Sequence, residues 1–168
     1  MKALITGASS GIGRDIAKEL SKKGYDLILV ARDLEKLEQV KNEIKTNAEI
    51  VSMDVSKPEN CEQLHEKFKD IGILVNNAGF GDCGDFTKTK LEKEIKMIET
   101  NIIAYHILTK LYLKKKKQKD CGKILNVASI AGFMPGPLMA TYYSTKSYVV
   151  RLSESLREEL RRDKSKVQ

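Results

Sequence analysis

The sequence predicts a doubly wound parallel α/β sheet, and three observations carry the prediction. Apolar runs alternate with amphipathic segments along the whole chain; single helical segments separate successive runs; and the runs are near-continuously apolar. One-helix spacing forces parallel pairing through right-handed crossovers, and a strand apolar on both faces must be covered on both.

Element by element, Lys2–Thr6 encloses Ala3-Leu4-Ile5 and reads as a strand, followed by a helix over Gly11–Lys23. Tyr25–Ala31 is the second strand, and Asp33–Thr46 the second helix, with Asp33 as N-cap before Leu34-Glu35-Lys36-Leu37. Ala48–Met53 reads as a strand, Pro58–Asp70 as a helix, Ile71–Asn76 as a strand, and a loop runs through Asp85. One long helix is expected from Leu91 to Lys117, then a strand at Lys123–Ala128, a Gly/Pro loop to Pro137 and a last helix from Thr141 to Arg162. After it, Lys166-Val167-Gln168 looks like the entrance to another strand.

With 168 residues, no internal repeat and no linker composition, residues 1–168 are read as a single domain. A hydrophobic content of 41% beside 32% charged residues suits a globular chain, and no apolar stretch reaches the ~18 residues a membrane span needs. The start resembles a strand rather than a signal peptide, so a cytoplasmic address is expected, without a membrane partner. Cys61, Cys83 and Cys121 are odd in number and far apart, which fits neither a disulfide framework nor a metal-ligand set; no metal is expected. The net charge of +7, with Lys114 to Lys117 and Lys119, raises nucleic acid as a partner. A run at a helix C-terminus with no interleaved aromatics is better read as solvated cations complementing the helix dipole, so no nucleic acid is expected.

Thr6-Gly7-Ala8-Ser9-Ser10-Gly11-Ile12-Gly13 joins the first strand to the first helix. Its glycines allow a tight turn and close backbone approach, and the helix N-terminus presents free N–H groups to a pyrophosphate. The spacing is not the simple G-x-G-x-x-G fingerprint, and a loop needs glycine for structural reasons too, but this loop occupies the switch point where such sheets bind dinucleotides. At the other end of the chain, Tyr142 and Lys146 stand four residues apart on a helix, which places phenol and amine on one face. A tyrosine titrating near ~10 becomes a useful acid or base when a neighbouring cation favours its phenolate. With Ser129 upstream, the set reads as a device for moving a proton to or from an alcohol or carbonyl oxygen.

In order, Thr6-Gly7-x3-Gly11-x-Gly13, Asp54-Val55, Asn76-Asn77-Ala78-Gly79, Asn101, Ser129 and Tyr142-x3-Lys146 resemble the short-chain dehydrogenase/reductase family, in its classical NADP-preferring form. The resemblance spans almost the whole chain and implies a Rossmann-type sheet. It implies Tyr142 as general acid/base, Lys146 lowering its pKa and holding the nicotinamide ribose, Ser129 bonding the substrate oxygen, and Asn101 shaping its helix and positioning a relay water. The nicotinamide carries the hydride. Each residue has a plainer reading: an ordinary helix pair, a cap serine, a polar or capping asparagine. Tyr143 is the local competitor of Tyr142 but has no place in the motif.

The resemblance also implies a cofactor set. Gly7, Ser9, Ser10, Gly11, Ile12 and Gly13 would meet the phosphates, Asp54 and Val55 would flank the adenine, and Asn76, Ala78 and Gly79 would line the adenosine side. At the end of strand two, Ala31 takes the acid position and Arg32 follows, which favours NADP(H) over NAD; Arg14 is a second candidate phosphate contact. Asp33 is the contrary signal, read as the cap above. Relatives continue into further strands and a substrate-covering segment, so the chain is expected to be five strands of the fold, shortened at its C-terminus, with the fifth strand an open edge. Two functions follow: hydride transfer between NADP(H) and a small carbonyl or alcohol, or a non-catalytic nucleotide-binding or dimerisation module. Family assembly would make it a homodimer or tetramer through the long and last helices.

Overall fold

A computed structural model describes residues 1–168. The strands are β1 (Lys2–Thr6), β2 (Asp26–Ala31), β3 (Ala48–Ser52), β4 (Ile73–Asn76) and β5 (Lys123–Asn126). The helices are α1 (Gly11–Lys22), α2 (Leu34–Asn42), α3 (Pro58–Lys67), α4 (Leu91–Ile98), α5 (Ala104–Lys119) and α6 (Ala140–Arg162). All strand pairs are parallel, in the order β3-β2-β1-β4-β5.

The reason both strand faces are apolar is visible in β1. Its side chains alternate between two cores: Leu4 joins Ile28, Val30, Leu64 and Tyr112 on the α3/α5 side, while Ala3 and Ile5 join Leu29, Ala17 and Leu37 on the α1/α2 side. Because β1 lies between β2 and β4, strand order reverses there, and the crevice beyond the C-terminal ends of β1 and β4 is the switch point.

Asp33 caps α2 as the sequence predicts, its carboxylate accepting from Lys36 N–H at 3.1 Å. Two expectations need correction. The helix from Leu91 to Lys117 is continuous in space but interrupted by a π-helical turn over Glu99–Ile103, so the sequence's single helix is α4, that turn and α5. The lysine run is not wholly solvated: Lys116 is buried and donates to the carbonyls of Ile71 (2.8 Å) and Gly72 (2.9 Å). Lys117 and Lys119 pair with Asp163 and Asp70.

The expected open edge of β5 is corrected as well: its outer edge is met by the segment read as a strand entrance. Gln168 N–H donates to Gly122 O at 3.0 Å and Ile124 N–H to Gln168 O at 2.7 Å, while Val167 is buried. No helix is long and apolar enough to cross a membrane.

Candidate functional site

The loop between β1 and α1 is locked from beneath. Gly7 has φ +66°, and a Cβ there would come within 2.8 Å of the Ala78 backbone. At Gly13 a Cβ would lie 2.2 Å from Gly7 O, so the first turn of α1 and the loop touch backbone to backbone. Asn77 completes the lock, donating from Nδ2 to Thr6 O and Gly7 O at 3.1 Å each, and the Thr6 hydroxyl oxygen accepts from the Asn77 and Ala78 N–H groups. Ser10, the N-cap of α1, makes no side-chain cap bond, and no acid stands in the first turn. The first amides of α1 are thus unspent and unopposed, as an anion site requires.

Above this loop lies a cleft of about 530 Å³, within the usual size of a small-ligand site. Gly7, Ser9, Ser10 and Ile12 form its floor; Arg32, Asp54 and Val55 close one end; Ala78 and Gly79 flank the middle; Tyr142 and Lys146 stand at the far end. Six predicted positions do not line it: Gly11, Gly13, Arg14, Asn76, Asn101 and Ser129. Gly11 (φ +51°) and Gly13 serve the shape of the loop, and Arg14 pairs with Asp15 instead. Asn76, the last residue of β4, is fully buried and donates to Thr109 Oγ1 (3.0 Å) and Asn126 Oδ1 (2.9 Å). Its neighbour Asn77, from the same motif, does reach the cleft, as do Thr100 and Lys36, which the sequence does not mark as site residues.

At the Arg32 end, Arg32 forms no salt bridge, whereas Lys36 pairs with Asp33 at 3.0 Å. Asp54 is braced on both oxygens. Ser56 donates its N–H (3.0 Å) and hydroxyl (2.7 Å) to Oδ1, and Lys96 on α4 donates to Oδ2 at 3.0 Å. Partial burial opposes the charge on Asp54, but the Ser56 and Lys96 donors outweigh it and hold the carboxyl down at about 2.

At the far end, Tyr142, in the first turn of α6, lays its ring against Gly81, where a Cβ would sit 3.1 Å from that ring. Lys146, one helical turn on, is buried; its Nζ donates to Val127 O at 3.0 Å and lies 5.5 Å from the Tyr105 ring centroid. Burial pushes its pKa below the ordinary lysine value. Ser129 caps the short 3-10 turn Ile130–Phe133, its Oγ accepting from Ala131 N–H at 3.2 Å. That bond uses an oxygen lone pair and leaves the hydroxyl hydrogen free to donate. Asn101 sits on the π-helical turn, fully buried: Oδ1 accepts from Phe80 N–H, and Nδ2 donates to Phe80 O and Thr145 Oγ1. Its side chain therefore spends itself on fixing the loop after β4 against α6.

The family model for short chain dehydrogenases matches residues 1–168. The human very-long-chain 3-oxoacyl-CoA reductase is 36% identical over 95% of this chain and 54% of its own length. An oxidoreductase of Staphylococcus epidermidis is 37% identical over 98% of this chain and 74% of its own. Among solved structures, a metagenomic short-chain oxidoreductase in complex with NADP superposes with a TM-score of 0.90 at 32% identity, covering 100% of this chain and 79% of that one. A short-chain dehydrogenase from Sphingobium yanoikuyae in complex with NADPH gives 0.90 at 34%, covering 99% and 67%. The chain spans about half the length of the 3-oxoacyl-CoA reductases it is similar to. With its parallel five-stranded sheet, its glycine loop at the switch point and this match over every residue, the chain belongs to the short-chain dehydrogenase family.

Proposed function

We propose that this chain carries the cofactor-binding and proton-transfer parts of an NADP(H)-dependent oxidoreductase acting on a carbonyl or alcohol. The observation that carries the reading is that a single cleft is lined both by the glycine loop and by Tyr142 and Lys146. The residues fit a dinucleotide. Gly7 leaves no side chain between β1 and Ala78, and the N-terminus of α1 has amides to offer a pyrophosphate.

Arg32 supports NADP(H) over NAD(H), because it lines the cleft with its guanidinium unpaired and suits bidentate phosphate recognition. The two structural relatives described above are complexes with NADP and NADPH. Bound nicotinamide supplies or accepts the hydride at the substrate carbon. The chain's own residues then manage the proton: Tyr142 Oη gives it to the substrate oxygen in reduction and takes it back in oxidation. Ser129 follows the cleft-lining Ala128 at the cleft's margin and, with its hydroxyl hydrogen free, donates to the same oxygen as charge builds on it. Lys146, a buried amine lining the same cleft one helical turn from Tyr142, offers donors to ribose hydroxyls.

Following NADPH absorbance with a panel of ketones and aldehydes tests the reading. NADPH consumption that falls by about 100-fold or more in Tyr142→Phe, the scale of a lost general acid, is the expected result. NADPH binding without consumption by any carbonyl would favour the module reading. By family assembly the protein forms a homodimer or tetramer through α4, α5 and α6; a monomer by light scattering at micromolar concentration contradicts this.

A further inference from the structure

We propose that Lys96 on α4 is a positioning residue for the adenine end of the dinucleotide, acting through Asp54. The inference rests on the cofactor reading above. Asp54 lines the cleft that must receive a polyanion, so an unopposed carboxylate there would repel the ligand. Lys96 removes that penalty. Its Nζ bonds Asp54 Oδ2 at 3.0 Å and also the Ser56 hydroxyl, with both side chains only partly exposed (35% and 27%). At such a site a charge pair is less screened than on open surface.

The brace is also geometric. Asp54 has two oxygens held from different elements: Oδ1 by Ser56 in its own loop, Oδ2 by Lys96 from α4. The Asp54 carbonyl accepts from Asn60 Nδ2 at 2.8 Å, so the loop after β3 is pinned to α3 as well. One turn beyond Lys96, Thr100 donates its hydroxyl to Lys96 O at 2.8 Å and itself lines the cleft. Lys96 therefore ties the wall holding Asp54 and Val55 to the helix that leads into the Asn101 turn.

Calorimetric titration of adenosine 2′,5′-bisphosphate, the adenine end of NADP, tests this without any turnover. Lys96→Met should weaken binding by about five- to tenfold, the scale of a lost charge-assisted hydrogen bond in a partly exposed pair. Lys96→Arg, or adding Asp54→Asn to the Met variant, should restore most of the loss, because each again leaves no unpaired carboxylate. Circular dichroism on every variant confirms folding. A Met variant that binds like wild type, or a loss that neither change restores, overturns the proposal. Wild-type protein that binds neither this fragment nor NADPH overturns the cofactor reading itself and the proposal with it.

Discussion

Asn101 Nδ2 donates to Thr145 Oγ1 at 3.0 Å, and the Thr145 hydroxyl in turn donates to Tyr142 O at 2.7 Å. Two hydrogen bonds thus link the π-helical turn to the backbone of the proposed acid/base. Asn101→Ala leaves the part-buried Phe80 backbone groups and the buried Thr145 hydroxyl without their Asn101 partner and should lower stability by about 2–4 kcal/mol, read from urea unfolding. Thr145→Val keeps the shape but loses both bonds; it should cost about 1–2 kcal/mol and slow turnover in the same assay used for Tyr142→Phe.

Gly13 and Gly11 should respond to alanine differently. At Gly13 the new Cβ meets Gly7 O at 2.2 Å and Asn77 Nδ2 at 2.5 Å, so the glycine loop must move. Gly13→Ala should abolish NADPH binding and cost more than about 2 kcal/mol, the upper range of overpacking and strain. Gly11→Ala meets open space and suffers only its positive φ, about 1 kcal/mol, with binding retained. Thermal unfolding beside NADPH fluorescence separates the two.

Lys116 is the buried member of the basic run. Lys116→Met keeps the aliphatic stem but leaves the Ile71 and Gly72 carbonyls without their donor, and should cost about 1–3 kcal/mol. Lys114→Met, on an exposed position of the same helix, should cost less than about 0.5 kcal/mol.

Asp54 predicts an acid limb in stability. Its folded-state pKa of about 2 lies below the ordinary 3.8, so the stabilisation it gives is fully present above 3.8 and is lost as pH falls towards 2. Solvent screening keeps the effect on the order of 1 kcal/mol. Asp54→Asn should flatten that limb in an acid titration followed by circular dichroism.

Much of this architecture is legible in the residues. Both-face apolar strands announce a covered parallel sheet, and Asp33 reads correctly as a cap because capping is local chemistry. The π-helical turn does not show, since the apolar spacing from Ile95 through Leu108 runs across it without a breaker. Asn76 and Asn77 are indistinguishable as letters; where β4 ends decides which is interior and which holds the glycine loop. Lys116 differs from its neighbours only through the crossing of α5 over the Ile71–Gly72 backbone, a tertiary fact. Tyr142, Lys146 and the glycine loop lie more than 120 residues apart in sequence, and it is the switch point that brings them to one cleft.

Titrating NADPH and NADH in parallel by fluorescence, on wild type and Arg32→Ala, tests the central claim most directly. Saturable binding is expected, with NADPH tighter by about tenfold or more, as a phosphate–arginine contact supplies, and with that margin lost in Arg32→Ala. Equal affinity for the two cofactors that Arg32→Ala leaves unchanged would contradict the NADP(H) assignment, and no binding of either would contradict the cofactor cleft itself.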